Sequence, residues 1–195
     1  MHLKLNRLRA CRLPVVGNAK LRIAQLTGAC LFDSAELFLP RRWKQLAASA
    51  PNALIGSAAD LQRLIDRVEL GTIDLKTLSH SISVLTAVGD QPLTDAQRDS
   101  LWQHFGVPVF ELYTDESRIL AYECEAHDGW HMAAGSSLRI AAGELLYDSN
   151  RREGLRTGLK REIDSQPCPC GRPGARLVHS LNRQATDQPI LAAIA

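Results

Sequence analysis

The chain has 195 residues, of which 45% are hydrophobic, so it can bury a substantial core as one large domain or two small ones. Its 23 Lys and Arg residues nearly balance 21 Asp and Glu residues, which gives no overall positive field and predicts no nucleic-acid partner. No apolar run reaches the roughly 18 residues of a membrane helix, and the basic segment 1–20 lacks the uninterrupted apolar stretch of a secretory signal. We therefore expect a cytoplasmic protein with no membrane partner.

The middle of the chain alternates between apolar strand patterns and amphipathic helix patterns, which is typical of α/β proteins. In chain order, the sequence predicts a strand at 52–56, a helix capped by Ser57 or Asp60 and ended by Gly71, a strand at 81–88, a helix at 95–105 between Thr94 and Gly106, and a strand at 108–113. Strands alternating with helices of this length indicate right-handed crossovers in a parallel sheet. Ligands bind at the carboxyl ends of such strands, which here are segments 89–92 and 113–116.

From Ile119 onward the pattern changes to short alternating segments at 120–123, 137–141 and 144–147, with a turn at Gly143. These segments predict a small antiparallel β module. The three tryptophans are interpreted as packing residues: Trp43, Trp102 and Trp130.

Three of the five cysteines and one histidine form a candidate metal site: Cys124, His131, Cys168 and Cys170. Three sulfurs and one imidazole nitrogen are a standard ligand set for structural zinc. The odd number of cysteines favours reduced thiols over a disulfide framework. His127, in Cys124-x-x-His127, is an alternative ligand. Four protein ligands leave no open position for a substrate, so the expected zinc is structural. The expected fold class is therefore α/β, a partial parallel sheet with crossover helices followed by a small zinc-bound antiparallel β module.

The order of these motifs resembles that of phenylacetate-CoA ligases and CoF synthetases, which belong to the adenylate-forming superfamily. The resemblance covers about residues 41–183 and rests on Gly89-x-x-Pro92-Leu93, Phe105-Gly-Val-Pro-Val109, Tyr113-x-x-Glu116, Glu123-Cys124, Gly129-x-His131 and Cys168-x-Cys170-Gly-Arg172. It implies four regions: an N-terminal segment at 1–40, an α/β subdomain at 41–118, a zinc-stabilised β module at 119–183 and a tail at 184–195.

Members of this family activate a carboxylate with ATP and pass the acyl group to a thiol, commonly that of coenzyme A. The resemblance implies that Tyr113 lies against adenine and that the turn from Gly89 to Pro92 forms the adenine-side loop. It also implies that Glu116 reaches a magnesium ion, and that His131 rather than His127 completes the zinc site. Arg172 is interpreted as a brace of the zinc loop.

Several family features are changed here. Thr114 and Asp115 replace a Gly and a Ser or Thr near the phosphates, Gln91 replaces a Glu, and Leu159 replaces the Asp that binds the ribose. The family's phosphate loop ending in Lys and its C-terminal domain with the catalytic Lys have no counterpart in this sequence. These departures predict weak binding of ATP and magnesium, and no confident catalytic residue beyond a vestigial Glu116.

We therefore expect a truncated ligase-like protein that does not activate a carboxylate alone and serves as a zinc-stabilised partner-binding or regulatory domain. Two alternatives are a subunit of a split acyl-CoA ligase and a non-catalytic module that binds a small carboxylic acid. The expected partners are a second copy or another chain, which would cover exposed sheet edges.

Overall fold

The computed structural model describes residues 20–28, 31–32, 34–115, 118–148 and 153–179. Within these ranges the elements in chain order are β1 (Ile23–Gln25), β2 (Ala35–Leu37), a 3-10 helix (Pro40–Gln45), α1 (Leu46–Ser49), β3 (Ala53–Ser57), α2 (Ala58–Glu69), β4 (Ser81–Ala87), α3 (Asp95–Phe105), β5 (Val109–Asp115), β6 (Arg118–Glu123), β7 (Trp130–Met132), β8 (Leu138–Ala141), β9 (Glu144–Tyr147), β10 (Leu155–Asp164) and β11 (Arg176–His179). The strands form one sheet in the order β2-β1-β3-β4-β5-β6-β7-β11-β10-β9-β8.

The first half of this sheet is parallel and carries the helices. Strands β2, β1, β3, β4 and β5 pair in parallel, and α2 and α3 connect β3 to β4 and β4 to β5. Local signals set the helix bounds as predicted: the Ser57 hydroxyl accepts the Asp60 N–H at 3.1 Å, Thr94 and Gln97 form a capping box, and Gly106 ends α3 in a left-handed conformation. The prediction of a mixed α/β fold with a partly parallel sheet is confirmed.

The second half of the sheet is antiparallel from β5 through β6, β7, β11, β10 and β9 to β8. The sequence did not predict β10, although it is the longest strand described. Its inward positions include Thr157 and Arg161 beside Leu159, so it lacks the alternation of apolar and polar residues that identifies a half-buried strand. The three-residue β7 and the four-residue β11 were also missed because they are short.

Three apolar clusters form the core. One lies between the parallel strands and the helices and includes Leu54, Leu61 and Ile82. Neighbouring residues of a strand point to opposite faces of the sheet, so Ile55, next to Leu54, belongs to a second cluster together with Leu112. A third belongs to the antiparallel half and includes Tyr113, Trp130, Leu145, Leu159 and Leu177.

Two of the three tryptophans pack as predicted. Trp43 and Trp130 are buried. The interpretation of Trp102 as a packing residue is wrong, since 59% of it is exposed on α3. Among the described residues, no helix is long and apolar enough to cross a membrane.

Gly129 lies where the chain turns into β7, and its conformation suits glycine alone. Its φ is +87°, and an added Cβ would lie 2.5 Å from the Leu177 carbonyl oxygen. Gly129→Ala is therefore expected to destabilise the protein by about 1–3 kcal/mol or more, because left-handed strain and a backbone clash coincide. Urea denaturation measures the change. Gly135→Ala is the control for strain alone, since its φ is +71° and nothing lies within 4 Å of an added Cβ. Equal losses in both variants would contradict the role of the clash.

Candidate metal centre

The fold brings the four predicted ligands to one place from three segments. Cys124 follows β6, His131 lies on β7, and Cys168 and Cys170 lie in the loop between β10 and β11. Strands β6, β7, β11 and β10 are consecutive neighbours in the sheet. Residues far apart in sequence therefore converge because the strands that carry them pair.

Two of the distances between the candidate ligand atoms are close to those of a tetrahedral zinc site. All four lie within 4.8 Å of one another, with 3.6 Å between the sulfurs of Cys124 and Cys168, and 3.4 Å from the Cys170 sulfur to His131 Nε2. Zinc bonds of about 2.3 Å to sulfur and about 2.0–2.1 Å to nitrogen place neighbouring ligand atoms roughly 3.5–3.8 Å apart. Three of the four residues are buried and Cys170 is half-buried. The described residues therefore fit a metal with a closed set of four protein ligands.

The protonation states of the cluster depend on its burial. Burial raises the pKa of Cys124 to about 12, so without a cation this group is a neutral thiol. Burial also acts to raise the pKa of Cys168, but hydrogen bonds from Cys170 and Cys124 and the charge of Arg176 together lower it. Burial, followed by the charges of Arg172 and Arg176, lowers the pKa of His131 and keeps its imidazole neutral for metal binding. Metal binding would displace thiol protons, which makes the affinity depend on pH.

Hydrogen bonds and a cation–π contact hold the loop at Cys168–Cys170 in place. The Gly171 N–H donates to the Cys168 carbonyl at 2.9 Å, and the Arg172 N–H lies 3.4 Å from the Cys170 sulfur. The Arg172 guanidinium donates to Glu125 at 2.6 Å and lies over the Tyr122 ring. The interpretation of Arg172 as a brace of this loop agrees with these contacts.

His127 does not join the sulfurs. Its ring stacks on Phe110 with 4.9 Å between the ring centroids, and its Nδ1 is 3.9 Å from Glu123. The structure thus places His131, and not His127, beside the three cysteines.

The residues matched to a nucleotide site lie at the carboxyl ends of β4 and β5. These parallel strands pair Thr86 with Tyr113, and Gly89 follows directly in a turn with a φ of +95°. Pro92 lies on the wall of a cleft, described below. Glu116 is outside the described residues. The roles of Gly89, Pro92 and Tyr113 toward a nucleotide stay predictions.

The side chains at the end of β5 form ring contacts and hydrogen bonds within the protein. Tyr113 is fully buried and its ring stacks on Trp130 with 5.3 Å between centroids. The Asp115 carboxylate accepts hydrogen bonds from the Tyr147 hydroxyl and, at 3.0 Å, from Arg118. Leu159, at the position matched to the ribose-binding Asp, is buried in the third apolar cluster.

A cleft of about 970 Å³ opens between α3 and the antiparallel half of the sheet. Its floor holds two buried glutamates, Glu111 and Glu123. Arg98 donates to both Glu123 oxygens at 3.0 Å, and Glu123 also accepts the Glu111 N–H at 2.8 Å. Glu111 accepts from the Thr86 hydroxyl and from the Leu93 N–H. Sequence reasoning missed this network, although a Glu inside the apolar run Val-Phe-Glu-Leu-Tyr is a signal of it.

Glu111 is expected to lower stability at neutral pH. Burial raises its pKa despite the hydrogen bonds from Thr86 and Leu93, so the folded state binds the proton more tightly than the unfolded state. The contribution of Glu111 to the free energy of unfolding is therefore greatest below the pKa that this residue has in the unfolded chain. It decreases as the pH rises through the pKa that the residue has in the folded protein. Glu111→Gln should therefore raise the melting temperature at pH 7 relative to the unmodified chain, and this difference should shrink as pH approaches 4.5. A difference independent of pH would contradict this assignment.

Comparison with known proteins reveals a shared fold. No protein-family model and no curated protein matches the sequence. An open conformation of 2-hydroxyisobutyryl-CoA ligase with 2-HIB-AMP and CoA is similar over 80% of this chain and 43% of its own, with a TM-score of 0.58 and 14% identity. The same ligase in its thioesterification state gives a TM-score of 0.57 at 14% identity, over 80% of this chain and 42% of its own.

The chain thus spans less than half the length of these ligase structures. At 14% identity the likeness concerns the fold alone, which resembles that of part of this CoA ligase. The fold that the resemblance implied is confirmed, and membership of the superfamily stays a prediction.

Proposed function

We propose that this chain is a zinc-stabilised, ligase-like domain that binds a partner or regulates one, and that it does not activate a carboxylate on its own. The narrower kinship, to phenylacetate-CoA ligases and CoF synthetases, is part of this proposal and rests on the motifs of the sequence.

The observation that carries the proposal is the closed Cys3His cluster. Its four donors lie within 4.8 Å of one another, and three of the four residues are buried. Four protein ligands give zinc its full tetrahedral set, so the metal has no open position to bind or polarise a substrate. Its proposed role is therefore to hold β6, β7 and the loop after β10 together.

The end of β5 supports the absence of adenylation by this chain alone. A nucleotide needs an accessible ring face to stack on, whereas Tyr113 is fully buried against Trp130. It also needs phosphate contacts, whereas Asp115 contributes a carboxylate where the resembled family has a hydroxyl. A carboxylate has no donor for phosphate oxygens, and this one is already hydrogen-bonded to Tyr147 and Arg118.

Two measurements on the purified chain test the proposal. Elemental analysis is expected to give one zinc per chain, and carboxylate-dependent exchange of pyrophosphate into ATP is expected to be at the background rate. Protein without stoichiometric zinc would contradict the structural role, and exchange above background would contradict the absence of adenylation.

Partner binding is favoured by the edges of the sheet. Among the described strands, β2 and β8 each pair on one side, which leaves backbone donors and acceptors on the other. The proposed occupant is a second copy or another chain. Light scattering after size exclusion distinguishes these cases: a dimer supports self-association, whereas a monomer leaves a different chain as the proposed partner.

Binding of a small carboxylic acid in the cleft is a second candidate function. The cleft volume of about 970 Å³ suits a small molecule, and Arg161 contributes a guanidinium beside Trp130, over whose ring it lies at 4.8 Å. Because Asp95, Asp99, Glu111 and Glu123 also line the cleft, Arg161 is the position at which an acid would bind. A thermal-shift series with aliphatic and aromatic acids tests this candidate. Stabilisation by an acid that is lost in Arg161→Met would support it, and no stabilisation by any acid would contradict it.

A further inference from the structure

A buried arginine stands beside the metal cluster, in line with one of its ligands. Arg176 on β11 pairs with His131 on β7 and, across its other edge, with Asp164 on β10. Residues paired in this way point to the same face of a sheet. The sheet register therefore fixes a row of three side chains: the imidazole of His131, the guanidinium of Arg176 and the carboxylate of Asp164.

The guanidinium is held firmly in this row. Its side chain is 3% exposed. Nη1 donates to the Asp128 carbonyl at 2.8 Å and to its carboxylate at 2.5 Å, while Nη2 donates to Asp164 at 2.5 Å. Nη1 also lies 3.9 Å from the Cys168 sulfur. Asp128 and Asp164 thus hold the guanidinium of Arg176, a permanent positive charge, close to the sulfur of Cys168.

The net charge of a zinc-bound cluster explains why an arginine lies beside it. Three thiolates and one neutral imidazole around a doubly charged zinc leave one net negative charge, and Cys124, Cys168 and His131 are buried. A buried charge is costly without a counter-charge. Asp128 and Asp164 are 58% and 28% exposed in their side chains, so water screens their charge more than that of Arg176.

We infer that Arg176 is a positioning residue for the metal, whose fixed positive charge stabilises the anionic Cys3His site through the contact with Cys168 and the row with His131. This inference rests on the proposed zinc site. The guanidinium touches no metal itself; it orients and neutralises the groups that do. Partners of this kind typically change metal affinity by about tenfold to a hundredfold when they are removed.

The test is a zinc competition titration against a chromophoric chelator, with three variants compared to the unmodified chain. Arg176→Met, which removes the charge but keeps the stem, should weaken zinc binding about tenfold to a hundredfold. Arg176→Lys, which keeps the charge and loses the planar fork, should recover most of that affinity. The control is Arg156→Met in the same antiparallel half, where an exposed arginine pairs with Glu144, and its zinc affinity should not change.

The outcomes separate this inference from the zinc site itself. If the unmodified chain takes up no zinc, the proposed function fails. If it binds zinc and Arg176→Met binds equally well, the role of Arg176 fails alone. If Met and Lys variants lose affinity equally, while the metal-free melting temperatures of both fall together, Arg176 serves strand packing and not the charge of the site, which also overturns the inference.

Discussion

Removal of the proposed zinc with a chelator is expected to lower the melting temperature of this protein by more than about 20 °C. Structural zinc contributes an apparent binding energy of about 10–16 kcal/mol, which equals the entire stability of an ordinary domain, about 5–15 kcal/mol. For a chain of this length each kcal/mol corresponds to roughly 2–4 °C. The ligands come from β6, β7 and the loop between β10 and β11, so their loss releases three segments together.

Thermal unfolding followed by circular dichroism, before and after chelation and again after zinc is restored, measures this effect. Cys124→Ser should mimic the chelated protein, because Cys124 is fully buried in the cluster. His127→Gln is the matched control: this histidine lies in the same turn but outside the cluster, so the variant should retain its response to zinc. A melting temperature unchanged by chelation would refute the structural metal.

The parts of the fold that the sequence predicted are those with local causes. Ser57, Thr94 and Gly106 set helix ends through hydrogen bonds and a left-handed conformation within a few residues. Strands β3, β4 and β5 are buried on both faces, as expected for parallel strands, and their β-branched and apolar residues are recognisable without knowledge of their neighbours. The cluster of three cysteines and His131 was recognisable because thiols and an imidazole at such spacing have few other roles.

The parts that the sequence did not reveal depend on long-range pairing. Arg161 and Arg176 are nearly inaccessible to water, at 4% and 2% exposed, yet an arginine in isolation predicts a surface position. They are buried because Trp130 and Asp164 contact them from other strands and Asp128 contacts Arg176 from the turn before β7. The hydrogen-bond network in the cleft also depends on long-range pairing, since Glu111 and Glu123 are twelve residues apart and meet through antiparallel strands. Trp102 shows the opposite error: an aromatic residue on a helix was interpreted as a packing residue, yet 59% of it is exposed while the adjacent Leu101 is buried.

Breaking the pair of Arg98 and Glu123 is expected to cost more stability than breaking an exposed ion pair among the described residues. Glu123 accepts from Arg98 through both oxygens at 3.0 Å, and the side chains are 10% and 25% exposed. Removing one partner of a buried pair leaves an uncompensated charge, at a cost of about 3–5 kcal/mol. We expect the lower end of this range for Arg98→Met, because water reaches a quarter of Arg98. Glu123→Met should cost at least as much, since the Glu111 N–H also loses its acceptor.

A variant that carries both Arg98→Met and Glu123→Met measures how much the interaction between these two side chains contributes to stability. Burial raises the pKa of Glu123 even though Arg98 acts to lower it, so the attraction does not repay the cost of removing the carboxylate from water. Arg98→Met combined with Glu123→Met should therefore recover much of the stability that each single change loses, as measured by urea denaturation of all four proteins in a double-mutant cycle. The exposed pair of Arg42 and Glu36, with side chains 43% and 55% exposed, is the control cycle and should show little coupling. Additive losses at Arg98 and Glu123 would mean that the two groups stabilise the cleft independently.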